Sequence, residues 1–313
     1  MKQRIITDGR VSLEVSELCL GTMYFGYRTD EATAFAILDR FSEAGGTFLD
    51  TANCYGQWHG DAGESERVIG RWLRSRGKHN QMVIASKVGA RTTVPGDTDS
   101  RHWQGLSGTV IKEDAETSLR NLGVDRLDLY YAHIDDRATP LEETVDAFAE
   151  LAESGKAGLL GASNTATWRI ERARKLAADR PAYSCVQQEY SYLMYQPDPG
   201  QVSVITEELK DYAATEQLTL FAYSPLVAGG YARRNQPIRR AYDHPTNAAR
   251  LAVLDETAAG LGVTVNQLVL AWMLSLSNPP VLPIPGASSV AQLDEILAAT
   301  ELALDQSILD RLK

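Results

Sequence analysis

Cysteine is scarce in this chain, and the three thiols, Cys19, Cys54 and Cys185, stand far apart without CxxC spacing. Neither a zinc ribbon nor a disulfide framework follows from such spacing, and a reducing compartment is the expectation. Cations are in deficit: 31 Lys and Arg stand against 41 Asp and Glu, a net charge of −10 over 313 residues. A general nucleic-acid or anionic-membrane surface is therefore not expected, and a small molecule is the better partner. Uninterrupted apolar runs of about 18 residues, the length a spanning helix needs, are lacking, and MKQRIITDGRVSLEV has no apolar signal-peptide core. The sequence thus predicts a cytoplasmic protein with no membrane span. The five histidines (59, 79, 102, 133, 244) form no HExxH pattern, which leaves a metal hydrolase without support. The usual dinucleotide fingerprint is missing too, since the nearest glycine cluster, GKAGLLG at 155–161, has the spacing GxxGxxG. No short repeat, low-complexity block or Pro/Ser-rich linker divides the chain, so residues 1–313 are expected to form one domain with ample apolar surface for a large core.

What is present is a rhythm. Asp8-Gly9 between two alternating apolar runs predicts a hairpin with a two-residue turn, serving as a small lid or plug. After it, eight short apolar or β-branched runs recur: LCLGT (18–22), TFLDTA (47–52), MVIASKV (82–88), LDLYYAH (127–133), AGLLGAS (157–163), CVQQEY (185–190), TLFAYSP (219–225) and VLPIPG (281–286). Between them lie segments of helical period, such as Phe35, Leu38 and Phe41 in DEATAFAILDRFSEAGG, which stops at a glycine pair. At TPLEE, Thr139 is expected to cap a helix, Pro140 to sit in its first turn, and Glu142 to complete a capping box. Strands alternating with helices require parallel pairing and right-handed crossovers, and eight such units predict a (β/α)8 TIM barrel behind an N-terminal β-hairpin.

In such a barrel the chemistry belongs at the C-terminal ends of the strands. That rule gathers Asp50 and Tyr55 from FLDTANCYG, Lys87 from the end of the third strand, and His133 from the end of the fourth. Taken singly, each has a plain structural explanation: a turn-capping acid, a packed phenol, a snorkelling amine, a hydrogen-bonded scaffold histidine. Together they make a proton-transfer device. A phenol of ordinary pKa about 10 needs a nearby cation to act as an acid near neutrality. Lys87 supplies that cation, and Asp50 keeps the lysine charged. His133 would hydrogen-bond a substrate carbonyl oxygen, and Tyr55 would deliver the proton. An anion site is expected where the eighth strand ends in PIPGASSVAQLDEI, with Gly286 allowing close approach and Ser288 and Ser289 opening a helix. A barrel lyase using Lys87 as a Schiff-base nucleophile is one alternative, disfavoured by the adjacent acid, and a non-catalytic accessory subunit that only binds a cofactor is another.

The motifs LCLGTMYFG, FLDTANCYG…GESE, ASKVG, LDLYYAHID, GLLGASN, VQQEYS, FAYSPL and PIPGASSVAQL, in this order from Leu18 to about Ile296, resemble those of the aldo-keto reductase superfamily. The resemblance implies a (β/α)8 barrel, hydride transfer between a nicotinamide cofactor and an aldehyde or ketone, and a catalytic tetrad at Asp50, Tyr55, Lys87 and His133. It also implies Gly21, Thr22 and Met23 bordering the nicotinamide, with Ser163, Asn164 and Gln188 at its carboxamide and Tyr223 stacked on its ring. Ser224 and Leu226 would follow the pyrophosphate, and Gly286, Ser288, Gln292 and Glu295 the adenosine end. Many NADPH-preferring members carry Lys or Arg in the last loop, whereas GASSVAQLDEI offers only Ser288, Ser289 and Gln292, and Ile296 replaces a usual asparagine. NADP is the first expectation and NAD the second, because hydroxyls and backbone amides also bind phosphate. The otherwise acidic chain places Arg233, Arg234, Arg239 and Arg240 in VAGGYARRNQPIRRAYDHP, where arginine can close over cofactor phosphates. Tyr24, Tyr27, Trp58, His59 and Trp103 follow the first three strands and are expected to shape a partly aromatic mouth suited to a sugar or a polyketide-like ring.

Overall fold

The computed structural model describes residues 1–97, 99–196, 204–233, 238 and 240–313. The chain opens with β1 (Gln3–Thr7) and β2 (Ser12–Ser16), paired antiparallel so that Thr7 faces Ser12. The connection is therefore the four-residue loop 8–11 and not a two-residue turn. Asp8 explains the longer loop: its Oδ1 accepts the backbone N–H groups of Arg10 (2.9 Å) and Val11 (2.7 Å), an Asx turn, while Gly9 takes a φ of +85°.

Eight parallel strands follow: β3 (Cys19–Gly21), β4 (Phe48–Asp50), β5 (Val83–Val88), β6 (Leu127–Ala132), β7 (Ala157–Ser163), β8 (Tyr183–Glu189), β9 (Thr219–Tyr223) and β10 (Val281–Ile284). They pair in sequence order, and the last returns to the first through the Gly21–Gly286 bridge and a 2.9 Å bond from Gly21 N–H to the Pro285 carbonyl. The expected (β/α)8 barrel and its N-terminal hairpin are both present. Period-two alternation sorts the side chains into two layers. Cys19, Phe48, Ala85, Leu129, Tyr131, Leu159, Cys185, Phe221, Leu282 and Ile284 fill the interior together with Ile6, Leu13 and Val15 of the hairpin, which plugs the N-terminal end. Leu20, Leu49, Ile84, Tyr130, Leu160, Val186 and Leu220 face the helices. Gly161 is required in the interior because a Cβ there would lie 2.3 Å from the Tyr131 ring.

The helices are α1 (Glu31–Glu43), α2 (Glu64–Arg76), α3 (Gly108–Leu122), α4 (Leu141–Glu153), α5 (Thr167–Ala177), α6 (Glu207–Thr215), α7 (Asn247–Leu261), α8 (Val265–Ser275), α9 (Val290–Ala298) and α10 (Gln306–Arg311). In α1 the buried stripe is Ala34, Ile37, Leu38 and Phe41, with Phe35 only partly covered. The capping box expected at α4 does not form: Pro140 takes the cap position without a side-chain bond, because the Thr139 hydroxyl donates to Asp136 at 2.7 Å. Among the described residues no single helix is long and apolar enough to cross a membrane; α7 and α8 meet that test only as a pair bent by 99°.

Candidate active site

The interior register carries each strand from an apolar side chain to a polar one at the rim. Phe48 is followed two residues on by Asp50, Ala85 by Lys87, and Tyr131 by His133, whose N–H continues the ladder to the Val88 carbonyl at 2.9 Å. Lys87 is 0 % exposed, and its three ammonium protons have three oxygen partners: Asp50 Oδ1 at 2.5 Å, the Thr51 carbonyl at 2.7 Å and Tyr55 Oη at 3.1 Å. Asp50, 3 % exposed, also accepts from the Gln187 amide through Oδ2 at 2.8 Å, and its carbonyl accepts from Thr22 N–H and Thr22 Oγ1. The Ser65 hydroxyl, at the start of α2, ties Thr22 (2.8 Å) to Thr51 (2.9 Å). Tyr55 sits on the loop after β4, its N–H bonded to the Ala52 carbonyl. Gly56 makes that loop possible: its φ is +104°, and a Cβ would lie 2.9 Å from the Asp61 carbonyl.

The charges sort themselves accordingly. Burial alone would pull the Lys87 ammonium down, but the Asp50 charge and the bonds to Asp50 and Tyr55 outweigh it and hold the group above its ordinary value. The Tyr55 phenol departs from the expectation set by its neighbouring cation: desolvation outweighs the opposing pull of Lys87, and the phenol stands above its ordinary value. It is therefore a protonated donor throughout the neutral range. Burial, then Lys87, push the His133 imidazole well below its usual value, so it is neutral.

Three of the residues expected at a cofactor lie beside His133. Asn164, in the left-handed region at φ +55°, accepts the Tyr223 hydroxyl on Oδ1 (2.9 Å) and donates through Nδ2 to the His133 carbonyl (3.0 Å) and to Ser163 Oγ (3.1 Å). Ser163, Asn164 and Tyr223 are thus brought together beside His133. Gln188 is not on this face. It lies on the helix-facing side of β8, where it donates to the Thr165 carbonyl (2.7 Å) and accepts the Asn164 N–H (2.7 Å). Gln187, which the sequence reading passed over, points inward, and the alternation from interior Cys185 is the signal that would have found it. Gly21 is at the barrel seam, Thr22 is fully buried in the Asp50 backbone lattice, and Met23 is half-buried beyond it. Ser224 follows β9 at φ +53°, and Leu226 packs between two apolar clusters. Gly286 and Ser288 are exposed. Gln292 caps inward, taking the Ser288 N–H on Oε1 at 2.8 Å, and Glu295 accepts from Thr264 Oγ1 (2.6 Å) and Asn266 (3.3 Å), which ties α9 to the start of α8.

The aromatic side chains form two groups. Trp58 lies 6.4 Å, centroid to centroid, from Tyr55, and Trp103 packs on the Ala52–Cys54–Ala90 cluster that also touches Tyr55. Farther out, Tyr27 stacks on His59 (4.6 Å) and meets Tyr24 edge-on (5.9 Å), with Arg28 over both phenol rings. Of the four arginines, Arg233 turns its guanidinium to the Ala228 carbonyl. Arg234 and Arg239 lie outside the described residues, and Arg240 is described only in its backbone, in a short 3-10 turn.

A family model for the aldo/keto reductase family matches residues 17–313. The chain is 35% identical over 312 residues to an uncharacterized oxidoreductase, YrpG, of Bacillus subtilis, covering 96% of this chain and 92% of the relative. It is 33% identical over 297 residues to norsolorinic acid reductase stcV of Emericella nidulans, covering 90% and 73%. It is 27% identical over 311 residues to the aldo-keto reductase yakc [NADP(+)] of Schizosaccharomyces pombe, covering 94% and 86%.

Proposed function

Since the chain belongs to the aldo/keto reductase family, and is therefore a nicotinamide-dependent oxidoreductase of carbonyl compounds, we propose that Asp50, Tyr55, Lys87 and His133 are its catalytic groups. The observation that carries this reading is the Lys87 ammonium, whose protons go to Asp50, the Thr51 carbonyl and the Tyr55 hydroxyl. Tyr55 Oη gives its proton to the carbonyl oxygen. Lys87 stabilises the phenolate left behind, and Asp50 keeps Lys87 charged. His133, neutral, donates an imidazole N–H to the same oxygen and orients it. When bound, the reduced nicotinamide supplies the hydride that the carbonyl carbon accepts. A buried, charged lysine is a poor Schiff-base nucleophile, which speaks against a lyase.

The cofactor's binding groups are proposed as Gly21, Thr22 and Met23, then Ser163, Asn164 and Tyr223, then Ser224, Leu226, Gly286, Ser288, Gln292 and Glu295. Bare backbone at the Gly21–Gly286 seam supports close approach, since a Cβ on Gly286 would meet only the Gly21 carbonyl. Gln187 replaces Gln188 as the inward-facing amide. NADP is the preferred form, supported by the hydroxyls of Ser288 and Ser289 at the start of α9, by Arg40, which reaches α9 through a 2.7 Å bond to Asp294, and by the name of the fission-yeast relative. If Arg233 grips a phosphate, Arg233→Ala raises the NADPH Kd about tenfold, the scale of one charge-assisted hydrogen bond. Unchanged affinity takes Arg233 out of phosphate binding, and unchanged affinity in the alanine variants of Arg233, Arg234, Arg239 and Arg240 alike rejects the idea for the loop.

The substrate is proposed as an aldehyde or ketone borne on a ring, met by Trp58 and Trp103 beside Tyr55, with Tyr24 and His59 farther out. Norsolorinic acid, in the name of one relative, belongs in the first test panel with sugars. The test titrates NADPH and NADH separately by fluorescence and then follows nicotinamide absorbance with aldehydes, ketones and sugars. Tighter NADPH binding and carbonyl-dependent oxidation are expected. Tight binding with no turnover across the panel would instead support an accessory subunit.

A further inference from the structure

Cys54 precedes the proton donor in sequence and has no part in the scheme above. It is 2 % exposed, within a small apolar cluster with Ala52 and Ala90 that Tyr55, Trp103 and Ile134 border. Its Sγ lies 3.6 Å from His133 Nδ1, within hydrogen-bonding range for sulfur. The backbone of His133 is held on both sides, by N–H to the Val88 carbonyl (2.9 Å) and by its own carbonyl receiving Asn164 Nδ2 (3.0 Å). What the backbone does not decide is which ring nitrogen carries the single proton of the neutral imidazole.

That choice governs function, because only a protonated nitrogen donates to a carbonyl oxygen. Nδ1 is occupied by the Cys54 contact, so Nε2 is the nitrogen left for the substrate. A carboxylate or carbonyl at Nδ1 would draw the proton there and leave Nε2 an acceptor, with the wrong polarity for a carbonyl. A thiol leaves the proton at Nε2: its S–H donates, weakly, to a bare Nδ1, and its sulfur is too weak an acceptor to draw the proton there. Desolvation by burial pushes the Cys54 thiol up to about 12, so the S–H is present at any working pH.

We infer that Cys54 is a positioning residue: its S–H donates to Nδ1 of His133 and thereby fixes the Nε2–H tautomer that meets the substrate carbonyl. The inference rests on the reading of His133 as the group that holds that oxygen. It gives the Cys54 thiol a role besides packing, a donor role that a hydroxyl shares and an aliphatic side chain lacks.

The test is nitrogen NMR of the 15N-histidine-labelled protein, ligand-free and with NADP+, the His133 signals being identified by their loss in His133→Gln. The parent is expected to show protonated Nε2 and bare Nδ1. In Cys54→Val, which fills the space without a donor, the two shifts should move toward each other as the tautomers mix, and kcat should fall about tenfold, the worth of one hydrogen bond, with NADPH Kd unchanged. Cys54→Ser should restore both the tautomer and most of kcat, which a purely structural role would not require. A proton on Nδ1 in the parent, or Cys54→Val with unchanged shifts and kcat, overturns the inference. Failure of the underlying reading looks different: His133→Gln would then reduce carbonyls as fast as the parent, whatever the spectra report of Cys54.

Discussion

Tyr55→Phe is expected to lower carbonyl reduction by about 10²–10⁴-fold, the usual worth of a positioned general acid, while leaving NADPH affinity intact. The phenol oxygen meets Lys87 Nζ at 3.1 Å, and the ring is packed by Trp58, Trp103 and the Ala52–Cys54–Ala90 cluster, contacts that phenylalanine keeps. Loss of one hydrogen bond changes folding stability by only about 1 kcal/mol, so a collapse in rate in a variant that melts near the parent and binds cofactor isolates the proton transfer. Because burial holds the phenol above its ordinary pKa, the group stays protonated as pH rises through neutrality. The reduction rate in the parent is therefore expected to stay level across that range, and a fall centred near neutrality would assign the proton to another group.

Lys87→Met should damage both folding and activity. The substitution leaves Asp50 3 % exposed, bonded to Gln187 and, among the described residues, to no cation. Removing one partner of a buried pair costs about 3–5 kcal/mol, readable as a lowered midpoint in denaturant unfolding. In the parent, Lys87 is held above its ordinary pKa, so the pair's contribution is present at neutrality and lapses only at strongly alkaline pH. Asp50→Asn combined with Lys87→Met should recover part of the loss at neutral pH. An Lys87→Met protein that unfolds at the parent's midpoint at pH 7 would show that the pair stabilises nothing.

Much of this architecture is written in local patterns. Period-two alternation along FLD, ASK and LYYAH is enough to place Asp50, Lys87 and His133 on one face at one end of their strands, and closure of the barrel brings them to the same rim. The same rule, applied along CVQQE, turns Gln187 inward and Gln188 toward the helices, an orientation that a motif match alone does not resolve. Other details turn on which nearby group a short polar side chain meets. Thr139 is diverted from its cap by Asp136, and the loop after β1 is lengthened because Asp8 accepts from two successive amides. A buried lattice behind the site was wholly illegible. Glu66 accepts from Ser86 (2.6 Å) and Asn121 (3.0 Å), and Asp114 binds Asn53 (2.7 Å) and Arg91 (2.8 Å), locking α2 and α3 to β5 and to the two loops that flank the site. These pairs have no signature spacing, because their meeting depends on how two helices pack on one strand. The state of Tyr55 escaped for a related reason: a neighbouring cation can be inferred from strand ends, but the depth of burial that opposes it cannot.

The central claim is that this rim reduces a carbonyl with Tyr55 as the acid. It is tested most directly by a single turnover of a ring-borne ketone with NADPH deuterated at C4 of the nicotinamide, in the parent and in Tyr55→Phe, each saturated with cofactor. The expected result is deuterium on the carbinol carbon in the parent and a transfer slowed about a hundredfold or more in the variant. Transfer at the parent's rate in Tyr55→Phe would contradict the claim.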